Sequence, residues 1–403
     1  MTNWVEISEE RLEANYRTLC ETAGAEVSVL AVIKADAYGH GAELCAPVLA
    51  RAGAEWLGVT NAVEGAEVRA ALVRAGLALA QQPRILVMSG SLPDEAATIV
   101  EHALTPVVWT VEQMTSLADA RMKQAEPLAV HVEVDTGMSR QGAAVGAELD
   151  AVLDWLAAQS ALRLECVMTH FASAEIAGSH QTSAQQVQFE QAMRQVAASG
   201  LRPELMSAGN TSVVDNLAAT GGGASSLAWL KQLAVKAGAR AMVRTGLGLY
   251  GYCLPIEREA GFTGAMQPAA CPHLEPVMTW KARVIGLREV AAGALVGYGG
   301  TFLAERPMRL ALLPVGYADG LRRELSSNAA GSGWVMLGGK TAPIVGRVSM
   351  NLTVVDVTEI PGVAVGDEAI VLGEGVTAED HARLARTISY EIVCGIKTLR
   401  QLV

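Results

Sequence analysis

From Ser28 onward, short β-branched runs alternate with stretches whose apolar residues recur at helical spacing. The runs Val29–Ala35, Trp56–Thr60, Arg84–Ser89, Thr105–Trp109, Leu128–Val134, Leu162–Thr169, Glu204–Ala208 and Ala241–Thr245 predict strands. Between them, Ala62–Ala75, Val111–Lys123, Ala147–Gln159 and Ala184–Ser199 predict amphipathic helices. Eight β-then-α units in series predict an α/β fold, a (β/α)8 barrel of the TIM type. The alternative, an open doubly wound sheet, calls for a GxGxxG turn after the first strand, and none is present.

After Leu254 the pattern changes. Pro255, Pro268, Pro272 and Pro276 punctuate a loop-rich linker. Beyond it, Val277–Leu287, Arg309–Pro314, Trp334–Leu337, Ala342–Val348 and Leu352–Val357 read as alternating strands, with another inside Gly362–Gly375 and a closing helix from about Ala378. The expected organisation is a barrel over 8–255 and a mainly-β domain over 256–403 that also takes in residues 1–7. Gly221–Ser226 followed by a helical Leu227–Ala237 reads as an insertion near 215–240, between units seven and eight.

Composition narrows the choices. Hydrophobic residues make up 51% of the 403 and charged residues 18%, so the chain can bury large cores. Only 4% are aromatic, which leaves Ala, Val and Leu to fill a helix-on-parallel-sheet interior. A net charge of −11 disfavours nucleic acid or an anionic membrane as partner and requires any anionic ligand to meet a local basic pocket. Six cysteines without paired spacing, and no HxxxH or HExxH, point to reduced thiols and no metal. Without a leader-like N-terminus or an apolar run long enough to span a bilayer, a cytoplasmic location is expected.

Ser28–Gly41 places Lys34 at the end of an otherwise apolar strand, before a glycine-flanked turn with Tyr38. A lysine there is costly unless its ammonium is exchanged, most commonly for an imine with a carbonyl cofactor. Barrel ligands sit at the C-terminal ends of strands. Those ends supply Lys34 and Tyr38, Arg140, His170, then Asn210, Thr211 and Ser212, then Arg244, Gly246 and Leu247. The last two units have the small residues that let backbone amides approach a phosphate. Each residue also has an ordinary reading: a snorkelling lysine, a structural histidine, arginines paired across turns. Their coincidence at one end of successive units favours a site. In the β-rich half, Tyr298 sits among glycines, Tyr317 lies in Pro314–Gly320, and Met350 and Asn351 lie in Val348–Leu352.

Ala31–Gly41 closely resembles the pyridoxal-phosphate attachment segment of the alanine racemases. The similarity continues through Val134–Arg140, Met168–Ala172, Arg244–Gly251, Gly297–Thr301, Gly316–Gly320 and Gly346–Asn351, nearly the whole chain. The resemblance implies pyridoxal 5′-phosphate as cofactor, a small amino acid as substrate, and a head-to-tail homodimer with shared active sites supplying D-alanine for peptidoglycan. Lys34 would carry the cofactor and act as base on the D-enantiomer, and Tyr298 of the partner subunit would serve the opposite face. His170 and Arg244 would form a cationic network around that tyrosine, with Arg244 also at the pyridine nitrogen. Tyr38, Asn210, Thr211, the Gly246 and Leu247 amides and Tyr390 would hold the cofactor, largely at its phosphate. Arg140 would bind the cofactor's phenolic oxygen and the substrate carboxylate, helped by the Met350 amide of the partner subunit; Tyr317 and Asn351 would line the substrate side.

Two positions depart from the family pattern. Glu133 stands where some members carry a carbamylated lysine that orients the active-site arginine, so its carboxylate is expected to support Arg140. Asn351 replaces the usual aspartate. Competing readings are a serine or broad-specificity racemase, a non-catalytic pyridoxal-phosphate carrier, which lacks the β-domain, and a decarboxylase, which should present glutamate in place of Arg244.

Overall fold

The computed structural model describes residues 1–121, 126–218, 224–266, 268–327 and 332–403. The end of the expected helix at Lys123 and the glycines 221–223 lie outside these. The chain divides into two compact units, one of Glu10–Ala37 with Cys45–Glu275, the other of Met1–Glu9, Tyr38–Leu44 and Pro276–Val403.

In the first unit the alternating pattern becomes a closed barrel. Its parallel strands are Val27–Val32, Trp56–Val59, Arg84–Val87, Thr105–Val108, Leu128–Asp135, Leu162–Thr169, Leu205–Ala208 and Arg240–Thr245. Closure is direct: Arg244 pairs with Leu30, and Val107 pairs with His131. Strands covered on both faces read as continuous apolar runs, and Val27–Val32 and Thr105–Val108 are buried at every residue.

Helix boundaries follow local capping. Asn61 accepts the Glu64 amide at 2.9 Å and starts Ala62–Arg74. Ser179 accepts the Thr182 amide at 3.1 Å, so the helix expected from Ala184 begins at His180. Ser225 caps Ser226–Ala237, which ends on Gly238 at φ +69°. This last helix packs on the seventh and eighth strands. The segment expected as an insertion therefore holds the crossover helix of the seventh unit.

The second unit is mainly β. One sheet runs in the order Lys340–Pro343, Trp334–Leu337, Glu368–Leu372, Met278–Arg283, Asn3–Ile7, Arg400–Leu402. A three-stranded sheet joins Gly286–Val290, Met308–Leu313 and Thr353–Asp356. The single strand expected over Val277–Leu287 is split in two. The Val284 amide bonds Asp367 O at 2.8 Å and the Ile285 amide bonds Leu312 O at 2.9 Å, so the chain changes sheets between them. Helices Ala378–Ala385 and Ser389–Cys394 follow, the first opened by a Thr377–Asp380 capping box. Among the described residues no helix is long and apolar enough to cross a membrane.

Candidate active site

The strand leading to Lys34 stops at Val32, short of the expected Ala35. Tyr250 donates its hydroxyl to Val32 O at 3.1 Å, and the Ile33 amide continues the ladder to Gly58 O at 2.8 Å. Beyond Lys34 the chain enters the left-handed region for four consecutive non-glycine residues, Ala35 to Tyr38, at φ of 52–54°. Each costs about 1–2 kcal/mol relative to a right-handed conformation. Glu64 helps to hold this path, accepting the Ala35 amide at 3.0 Å and the Thr60 amide at 2.7 Å. The turn is thus made by side-chain-bearing residues, with Gly39 and Gly41 only completing it. A Cβ on Gly39 would stand 2.2 Å from Val393 O, so glycine is required beside the helix that carries Tyr390.

Arg244 is 4% exposed, and three groups meet its guanidinium. It donates to Ser207 Oγ, to Thr169 O at 2.7 Å and to His170 Nδ1 at 3.1 Å. A guanidinium can only donate, so His170 Nδ1 is an acceptor and the ring is neutral. Burial, then the charges of Arg244, Arg140 and Lys34, push the His170 pKa down to about 3. The two residues expected to form a network are thus hydrogen-bonded, with the positive charge on Arg244 and a neutral His170. Burial also lowers the pKa of Arg244 from its ordinary value. Gln185 secures the His170 segment by donating to His170 O at 2.9 Å and accepting the Ala172 amide at 2.9 Å.

A cleft beside this cluster is lined by Glu133, Asp135, Arg140, Gln141, Thr169 and His170. Asp135 Oδ1 accepts the amides of Gly137, Met138 and Ser139, shaping the loop that presents Arg140. Arg140 is exposed and makes no hydrogen bond or ion pair among the described residues. Glu133, 3% exposed, accepts from Gln141 Nε2 at 2.5 Å. Its pKa is raised by burial, against the lowering pull of Arg244, Gln141 and Arg140. Its hydrogen-bond partner is Gln141, and Arg140 makes no hydrogen bond to it.

The next two strand ends build a cradle. Asn210 accepts the Ser212 amide at 3.0 Å, and Thr211 Oγ1 accepts the Gly246 and Gly248 amides at 3.2 Å each. Having accepted twice, the Thr211 hydroxyl is left to donate. The Leu247 amide, between those two glycines, is buried and has no acceptor among the described residues. Of the two amides singled out from sequence, Leu247 is the one left open.

The β-rich unit gathers its own set. The Tyr38 and Tyr390 rings lie 6.0 Å apart. Burial and the neighbouring Tyr390 and Cys394 raise the Tyr38 pKa, keeping its phenol a neutral donor. The Tyr317 amide bonds Ser349 O at 3.0 Å and the Ala318 amide bonds Met350 O at 2.9 Å, so Tyr317, Met350 and Asn351 come together. Asn351 Nδ2 reaches Asp319 Oδ2 at 3.4 Å. Tyr298 stands 71% exposed, framed by Gly297, Gly299 and Gly300, all at positive φ.

Sequence reasoning missed Gln141, Gln185, Thr169, Ser207, Tyr250 and Glu64. Isolated amides and hydroxyls carry no motif, and only the fold gives them partners.

A closed barrel with a basic, amide-lined mouth, followed by a mainly-β unit, defines a class of ligand-binding two-part proteins. Residues 7–254 match the family model for the alanine racemase N-terminal domain, and residues 277–402 match that for the C-terminal domain. The chain belongs to the alanine racemase family. It is 37% identical over 398 residues to an alanine racemase of Syntrophobacter fumaroxidans, covering 98% of this chain and 95% of that one. The alanine racemase of Streptomyces coelicolor A3(2) superposes with a TM-score of 0.83 at 30% identity, covering 100% and 97% of the two chains. A Bartonella henselae alanine racemase with covalently bound pyridoxal phosphate gives a TM-score of 0.79 at 25% identity, covering all of both.

Proposed function

We propose that this chain is a pyridoxal-phosphate-dependent alanine racemase (EC 5.1.1.1) acting by two bases, Lys34 and Tyr298. The observation that carries the reading is the convergence of Lys34, Arg140 and Arg244 on a neutral His170 at the barrel mouth. The barrel residues fit the cofactor: an open buried amide at Leu247 and a donating Thr211 hydroxyl suit a phosphate, and Arg244 suits a ring nitrogen.

When bound, pyridoxal phosphate supplies an electron-accepting ring that acidifies the α-hydrogen of the amino acid. Lys34 anchors the cofactor and exchanges the proton on the D side. Tyr298 does so on the L side, and its exposure suits a residue that completes a second subunit's site. Arg140, with no partner of its own among the described residues, would receive the substrate carboxylate, together with the Met350 amide of the partner subunit. Asn210 orders the cradle, Tyr390 backs Tyr38, and Glu133 tempers the charge around Arg140 and Arg244. Tyr317 and Asn351 line the substrate side. Arg244 would donate a hydrogen bond to the ring nitrogen without readily giving up a proton, and so would favour a neutral ring. A cytoplasmic homodimer supplying D-alanine for peptidoglycan is the setting that suits this activity.

Chiral chromatography of products from L-alanine, L-serine and L-lysine, with added cofactor, tests the assignment. D-alanine should dominate. Faster turnover of serine or lysine than of alanine would overturn the substrate, and no chiral inversion at all would overturn the activity.

A further inference from the structure

Three side chains outside the proposed catalytic machinery come together on the segments that continue from the cradle. Asp215, Cys253 and Cys271 each bring one ligand atom within 4.8 Å of the other two. Asp215 ends the short helix that begins with Thr211, and Cys253 follows Leu247–Tyr250. Cys271 opens the turn Cys271–His273. No spacing in the sequence announces the cluster, because its members lie on three separate segments.

The carboxylate is held in place with unusual care. Asp215 is 2% exposed, and its Oδ1 accepts the amides of Ala269 at 3.1 Å, Ala270 at 2.9 Å and Cys271 at 2.7 Å. Those bonds fix the Cys271 backbone against Asp215 and leave the second carboxylate oxygen for a ligand. Cys253 is half-buried and Cys271 exposed, so an ion could enter from solvent. In a tetrahedral site with metal–sulfur bonds of about 2.3 Å and metal–oxygen bonds of about 2.0–2.2 Å, ligand atoms stand roughly 3.3–3.8 Å apart. Binding therefore draws the three ligand atoms inward from their present spacing of within 4.8 Å.

We propose that Asp215, Cys253 and Cys271 form a binding site for a thiophilic divalent cation of the zinc class, with water as fourth ligand. Two thiolates and a carboxylate select such an ion over magnesium or calcium, which prefer oxygen. Binding displaces two thiol protons to solvent and involves no change of oxidation state. The bound ion ties together the ends of the two segments that carry Thr211 and Leu247. The site stands on its own donor geometry and does not depend on the catalytic assignment.

Equilibrium dialysis of the reduced, chelator-treated full chain against Zn2+ tests the proposal, with Cd2+–thiolate ultraviolet absorption as the second readout. About one ion per chain is expected in wild type. Cys253→Ser and Cys271→Ser should each lose the thiolate band and at least tenfold in affinity, whereas Cys394→Ser should retain both. Zn2+ should also raise the unfolding midpoint of wild type but not of Cys253→Ser. Because Asp215→Asn would disturb the three amide bonds, the cysteine variants decide the matter. Absence of the thiolate band, its persistence in either cysteine variant, or its loss in Cys394→Ser would overturn the site. So would a non-reduced protein in which Cys253 and Cys271 prove to be disulfide-bonded.

Discussion

The barrel mouth and the loops of the β-rich unit answer their polar groups in opposite ways. At the mouth, Arg244 and Glu133 are buried, and each has a hydrogen-bond partner from the same barrel. In the β-rich unit, Tyr298 is 71% and Met350 57% exposed, while the backbone beneath them is pinned by glycines and paired amides. The first region is built to hold a charge arrangement within one chain. The second is built to present side chains outward on a fixed frame. That difference is what a shared site between two identical subunits requires, because only a rigid outward loop can serve a neighbour's chemistry.

The sharpest way to break this comparison is to remove one base from each region. Lys34→Ala should abolish alanine racemisation and eliminate covalent retention of the cofactor, read by absorbance after gel filtration. Tyr298→Phe should slow racemisation by about 10²–10⁴-fold while deuterium exchange at the α-position of D-alanine persists. Mixing the two inactive variants under conditions that re-form dimers should then restore about a quarter of the wild-type sites, since one intact site arises in each mixed dimer. No recovery in a mixture whose subunits demonstrably exchange would place Tyr298 and Lys34 in the same subunit's site.

Smaller effects separate the two regions further. Arg244→Lys keeps the charge but cannot reproduce a fork that meets Ser207, Thr169 and His170 together, so turnover should fall at least tenfold and the melting temperature should drop. Thr211→Val leaves the Gly246 and Gly248 amides without their acceptor and should weaken cofactor affinity by about tenfold, measured by fluorescence titration.

The smallest effect concerns acid. Burial holds His170 in the barrel at a pKa of about 3 and His381 in the β-rich unit at about 4. In the unfolded chain each titrates near ~6.5. As the pH falls below that value, the unfolded state takes up protons that the folded state refuses, so stability declines towards pH 3 to 4. Unfolding midpoints measured across this window should fall less steeply in His170→Gln and in His381→Gln than in wild type; unchanged slopes would remove burial as the cause.

The eight barrel strands were legible because a parallel strand covered on both faces must be apolar along its length. Strand ends were less so. Nothing in Ile-Lys-Ala-Asp-Ala-Tyr signals that Ala35 to Tyr38 turn left-handed, since that path is held by Glu64 and tertiary packing against local preference. Likewise, the switch of sheets at Val284–Ile285 depends on partners at Asp367 and Leu312, far along the chain.

By itself the sequence determined the periodicity, hence the barrel and the β-rich unit, and the order in which Lys34, Arg140, His170, Arg244 and Tyr298 arrive. Those follow from local patterning and from residue types with distinctive chemistry. Only the tertiary structure decided that His170 is neutral, that Glu133 bonds Gln141, that the Leu247 amide is the open one, and that Asp215 meets two cysteines. Protonation state and hydrogen-bond partner depend on burial and on neighbours brought from distant segments, and neither is written in any single stretch of chain.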